Sequence, residues 1–132
     1  MQEDFTTWRV LVVDDDPDNL NLMAELLEFR GAQVCRAESG EEGLSALEGF
    51  KPTVILLDLS MPGMDGWELH RQLRVRPDLS QIPIIAITAL AMPDDLARAK
   101  EEGFYGYITK PYRIKALVDE LAELVSSFHD GR

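Results

Sequence analysis

Four apolar residues, Val54-Ile-Leu-Leu57, run straight into Asp58, and the loop that follows carries Pro62, Gly63 and Gly66. An unbroken apolar run of this length suits a strand covered on both faces, as in a parallel sheet. A carboxylate at the end of such a strand emerges at the carboxyl edge of the sheet, where open α/β folds gather their chemistry. Asp58 is therefore read as a nucleophile, and its helpers are expected at the neighbouring strand ends.

The rest of the chain supplies those neighbours. Residues 1–8 read as a frayed lead-in. Arg9–Val13 is a first strand running into Asp14-Asp15-Asp16, with Asp16 as N-cap and Pro17 in the first turn of a helix. Leu20, Met23, Leu26, Leu27 and Phe29 give that helix an apolar stripe, and Gly31 closes it. Gln33–Ala37 is a second strand. Ser39 and Glu42 read as a capping box for a second helix bearing Leu44 and Leu47 and stopped at Gly49. Thr53–Leu57 is the central strand. Asp65 then caps a third helix carrying Trp67, Leu69, Leu73 and Val75, which ends before Pro77.

Ile82–Thr88 is a fourth strand, Pro93 to about Glu102 a fourth helix closed by Gly103, and Tyr105–Thr109 a fifth strand. Ile114, Leu117, Val118, Leu121, Leu124, Val125 and Phe128 line a last amphipathic helix, and residues 129–132 read as a loose tail. Strand and helix alternate throughout. The pattern predicts one doubly wound α/β domain over residues 9–128, a (βα)₅ three-layer sandwich whose parallel sheet has the order 2-1-3-4-5. No effector domain is expected after the fifth helix.

Charge narrows the function. A formal net charge of −11 argues against nucleic acid as a direct partner, because phosphate contacts need a basic face. No apolar run spans a bilayer, and Met1-Gln-Glu-Asp lacks the basic-then-apolar order of a signal peptide. With Cys35 as the single cysteine, a reducing cytoplasm is the expected location.

Asp14, Asp15, Asp58, Thr88 and Lys110 all fall at carboxyl ends of predicted strands, so the sheet should bring them together. Two carboxylates about 4 Å apart repel by roughly 4 kcal/mol at an effective dielectric near 20. A hard divalent cation, Mg²⁺ above all, relieves that repulsion and makes the site hospitable to a phosphoryl group. Lys110 adds a second positive charge and Thr88 a hydroxyl donor. Together these form the kit for phosphoryl transfer to an aspartate.

Four motifs in order, Val-Leu-Val-Val-Asp-Asp-Asp, Leu-Leu-Asp-Leu-Ser-Met-Pro-Gly-Met-Asp-Gly, Ile-Thr-Ala and Lys-Pro, closely resemble the receiver domains of two-component response regulators. The resemblance runs from Arg9 to Phe128 and looks most like stand-alone receivers and receivers of hybrid kinases. It implies a flavodoxin-like fold and a phosphoprotein with Asp58 as phosphoacceptor. Asp15 would ligate Mg²⁺ directly, Asp14 directly or through water, and the Ser60 carbonyl would complete the protein's share, with Mn²⁺ able to substitute. Lys110, Thr88 and the backbone amides of Ser60 and Ala89 would contact the phosphoryl group. Tyr107 matches the switching aromatic, and the Lys110–Pro111 bond matches one that is often cis. The implied donor is a phosphohistidine on a sensor histidine kinase or phosphotransfer protein. The implied output is a downstream protein bound by the face of the fourth helix, fifth strand and fifth helix. Ser60 and Leu90 occupy the positions that tune loss of the phosphoryl group, and a leucine there implies a phosphorylated form lasting minutes or longer.

Other residues receive plainer readings. Asp65 and Gly66 are turn and cap, Cys35 is inert core, Tyr105 and Tyr112 are surface or interface residues, and His70 and His129 are exposed. A haloacid-dehalogenase-type phosphatase is the enzymatic alternative. It needs an aspartate two residues after the nucleophile, where this chain has Ser60. A flavin site is disfavoured because Asp14-Asp15-Asp16 would repel the flavin phosphate. The expected protein is a switch that turns over no external substrate.

Overall fold

The computed structural model describes residues 5–61, 63–89, 92–110 and 114–130. The expectations for Leu90, the Lys110–Pro111 bond, Tyr112 and the His129 side chain lie outside the described residues. Five strands, β1 Arg9–Val13, β2 Gln33–Ala37, β3 Val54–Leu57, β4 Ile84–Thr88 and β5 Gly106–Thr109, form one sheet in the order β2-β1-β3-β4-β5. All pairings are parallel. Helices α1 Pro17–Phe29, α2 Gly40–Ala46, α3 Gly66–Arg74, α4 Pro93–Glu102 and α5 Ile114–Asp130 connect and cover them. The expected architecture and strand order are those observed. β4 begins two residues later than the sequence suggests, after Pro83, which has no amide to give a ladder.

Local chemistry starts the helices where expected. The Asp16 carboxylate accepts the Asp18 amide at 3.0 Å, and the Asp65 carboxylate accepts the Glu68 amide at 2.9 Å. Ser39 accepts the Glu42 amide at 3.1 Å, but Glu42 reaches past the cap to the Glu38 amide at 2.8 Å. α1 and α4 both open on a proline, and α4 closes on Gly103 at φ 98°, a left-handed turn that favours glycine.

The sheet separates two apolar layers. Val10, Val12, Leu20, Met23, Leu27, Val118 and Leu121 pack on one side with α1 and α5. Leu11, Val13, Leu57, Trp67, Leu69, Leu73 and Phe104 pack on the other with α2, α3 and α4. No helix among the described residues is long and apolar enough to cross a membrane.

Four expectations need correction. The lead-in is not frayed from Phe5 onward. Phe5 is fully buried, its ring stacks on Trp8 at 3.8 Å, and its amide donates to the Arg30 carbonyl at 3.1 Å. Phe29 and Val75 are 87% and 79% exposed. Each lies two residues beyond a buried leucine, about 200° around the helix and so on the opposite face. α5 is helical to Asp130, two residues past the expected end. His70 is not exposed but fully buried, stacked on Phe104 with ring centroids 3.9 Å apart.

Among the described residues neither ring nitrogen of His70 has a hydrogen-bond partner of normal geometry, although the Gly103 backbone comes close enough to favour the charged ring. Burial, reinforced by Arg74, lowers its pKa to about 4. The unfolded chain therefore binds this proton first, and the folded state loses stability as pH falls from about 6.5 towards 4. His70→Phe should abolish that component. Denaturant titrations at pH 7 and pH 4.5 should show the variant losing about 2 kcal/mol less than the wild type between the two.

Candidate functional site

The parallel register builds the site. Val13 pairs with Leu57, so Asp14 and Asp58 leave the sheet side by side. Their backbones stay tied to it, the Asp14 amide donating to the Ala37 carbonyl at 3.1 Å and the Asp58 amide to the Val13 carbonyl at 2.9 Å. On the other side of β3, Thr88 ends β4 opposite Thr109, and the Lys110 amide donates to the Thr88 carbonyl at 2.8 Å. Residues separated by 96 positions in the chain thereby meet.

They meet as a charged cup. The Lys110 ammonium bridges two buried carboxylates, 2.9 Å from Asp14 Oδ2 and 3.2 Å from Asp58 Oδ2. Asp14, Asp15 and Asp58 each present a carboxylate oxygen within 4.8 Å of the others, with Asp15 the most open of the three. The second oxygens of the two buried acids are held by the main chain. Asp16 N–H donates to Asp14 Oδ1 and Ser60 N–H to Asp58 Oδ1, both at 3.0 Å. Asp58 is thus oriented by its own loop, with its other oxygen facing Lys110.

Among the described residues, three carboxylates against one ammonium leave the cup short of positive charge. Burial pushes the Asp14 carboxyl up, and the Asp16 amide and Lys110 offset this only in part. Burial opposes the charge on Lys110, yet the bonds and charges of Asp14 and Asp58 outweigh it and hold the ammonium above the ordinary lysine value. An all-oxygen donor set with excess negative charge fits a hard divalent cation.

The expected residues fall as follows. Thr88 is fully buried at the end of β4, and Ser60 and Ala89 are exposed in the segments that follow β3 and β4. Tyr107 is half-buried on β5 against the α2–α4 layer, and burial, with Asp95 nearby, raises its phenol. Asp16 is the helix cap and stands outside the cup. The sequence marks Gly66 only as turn and cap. The structure gives it a further constraint, because a Cβ there would strike the Asp58 carbonyl oxygen and lie 2.6 Å from Leu59 Cα. That requirement belongs to a tertiary approach and leaves no local sign beyond the glycine itself.

A family model described as the response regulator receiver domain matches residues 10–122. Protein PilH of Pseudomonas aeruginosa is 38% identical over 103 residues, covering 78% of this chain and 85% of that protein. The polar-differentiation response regulator DivK of Brucella ovis is 33% identical over 115 residues, covering 87% of this chain and 94% of that one. In three dimensions, a CheY-like receiver domain protein from Methanospirillum hungatei superposes with a TM-score of 0.82 at 28% identity, over 95% of this chain and 98% of that one.

Because the folded Asp14 carboxyl is raised, its ionisation costs the metal-free protein stability, and that cost disappears as pH falls and Asp14 takes up its proton. Asp14→Asn should therefore stabilise the metal-free protein at pH 7. The advantage over wild type should shrink on acidification, as read by denaturant melts across pH in the presence of a chelator.

Proposed function

The chain belongs to the response regulator receiver domains of two-component systems, and from that premise we propose that it is a phosphorylation switch whose acceptor is Asp58. The observation that carries this reading is the Lys110 ammonium lodged between Asp14 and Asp58 above a cluster of three carboxylates. Asp14, Asp15, Asp58 and the Ser60 carbonyl would hold Mg²⁺, or Mn²⁺ in its place. The bound ion supplies charge neutralisation at the phosphoryl oxygens.

The chain's own groups do the rest. The Ser60 amide fixes one oxygen of Asp58, which leaves the other to attack phosphorus. The phosphorus–nitrogen bond of a phosphohistidine breaks, the aspartyl phosphate bond forms, and the imidazole leaves. Lys110 exchanges its contact with Asp58 for one with a phosphoryl oxygen, so its charge remains matched. The Thr88 hydroxyl and the Ala89 amide donate to the remaining oxygens, joined by the Ser60 amide once it releases Asp58 Oδ1.

Movement of Thr88 towards the phosphoryl group draws Tyr107 inward. The surface of α4, β5 and α5 then changes, and the phosphoryl group stabilises that arrangement over the resting one. The donor is a sensor histidine kinase or a histidine phosphotransfer protein, the target is a protein that binds the altered face, and the setting is the cytoplasm. No external substrate is turned over.

Incubation with Mg²⁺ and acetyl phosphate should add one phosphoryl group to the wild type and none to Asp58→Asn, as read by intact mass. A chelator should abolish the addition. A wild type that stays unmodified under these conditions ends the reading.

A further inference from the structure

A cluster of side chains apart from the phosphoryl site, and apart from Thr88 and Tyr107, lies at the seam between α3 and α4. α3 is locked to the phosphoacceptor strand at its first residue. Gly66 abuts the Asp58 carbonyl too closely for any side chain, and its amide donates to the Leu59 carbonyl at 3.2 Å. α3 therefore rides with β3. The next residue, Trp67, is buried, and the Arg98 guanidinium of α4 lies 4.0 Å from its ring centroid. One turn on, Arg71 Nε meets Glu102 Oε1 at 3.3 Å, and Arg98 Nε lies 3.9 Å from the other Glu102 oxygen. Just past α4, Phe104 is wedged edge-on to Trp67 at 5.8 Å and stacked on His70.

The two halves of α4 differ. Its second half is gripped, with the Glu102 side chain only 24% exposed. Its beginning is open, with Met92 68% and Leu96 43% exposed. Among the described residues, the ion-pair and cation–π contacts of the seam are those of Arg71, Arg98, Glu102 and Trp67.

We propose that Trp67 and Arg71 on α3, with Arg98 and Glu102 on α4, form a clamp that holds α4 in the arrangement seen here and opposes its displacement when Asp58 is phosphorylated. The inference rests on the functional reading above, which makes α4 a moving element. α3 is fixed to β3, so α4 cannot shift against the phosphoacceptor strand without lifting Arg98 from Trp67 or parting Glu102 from Arg71. The clamp thus lowers the population of the shifted state. The apparent affinity for a phosphoryl group or its mimic falls by the same factor.

Beryllofluoride with Mg²⁺ is titrated into the wild type, Arg98→Gln and Glu102→Gln, with the bound fraction read by fluorine NMR and melting midpoints measured on the free proteins. Both variants should fill Asp58 at a roughly two- to fivefold lower beryllofluoride concentration, the size expected for one partly exposed cation–π or ion-pair contact. The substitutions change net charge in opposite directions, so a shared shift is not a long-range charge effect. Half-saturation unchanged or raised in both variants, even with a lowered melting midpoint, overturns the clamp. A wild type that binds no beryllofluoride overturns the functional reading beneath it as well.

Discussion

Parallel pairing of β1 with β3 decides where the charge of this molecule is concentrated. With Val13 opposite Leu57, the next residue of each strand is an aspartate, and both aspartates have their amides committed to the sheet. Neither side chain can be moved to the other face of the sheet without opening the ladder. A slip of one residue would send each side chain to the other face and expose an apolar strand. Lys110 arrives by the same logic from the end of β5, its amide tied to the last residue of β4. The cup is thus a consequence of register, and its electrostatic frustration is built into the backbone.

Frustration of that kind persists only where the surroundings over-determine it. Here the restraint comes from both sides of the sheet. Every residue of β3 and β4 is buried, and each face has its own apolar layer. The main chain also intervenes directly, with the amides of Asp16 and Ser60 each holding one oxygen of a buried acid. These bonds favour ionised carboxylates at the place where burial disfavours them. The acids are thereby aimed, which is what a cation or a phosphoryl group requires.

Much of this was legible in the sequence because the informative signals are local. The apolar run before Asp58, the acids after β1, and the caps Asp16, Ser39 and Asp65 each announce themselves within a few residues. Alternation of strand and helix announces a parallel sheet with its chemistry at one edge, and the meeting of Asp14, Asp58 and Lys110 follows from it. What escaped is set by tertiary approach. Nothing near His70 signals that Phe104, 34 positions later, will cover it. Phe5 and Trp8 read as a lead-in until the α1 carboxyl end offers them the Arg30 carbonyl and a surface to pack on. Phe29 and Val75 depart for a simpler reason, since residues two apart on a helix face nearly opposite sides. Glu42 makes the expected kind of contact, but with an amide one residue before the cap.

The sheet that divides the core also divides the aromatic reporters. The chain has two tryptophans. Trp8 packs on the α1–α5 side beside Phe5, whereas Trp67 lies on the opposite side under Arg98. Their ultraviolet emission therefore samples two environments separated by a layer of strands. Rearrangement confined to the seam of α3 and α4 alters one indole and leaves the other as a spectroscopic standard inside the same molecule. The protein thus carries its own optical ruler for telling a local shift from a change that involves the whole fold.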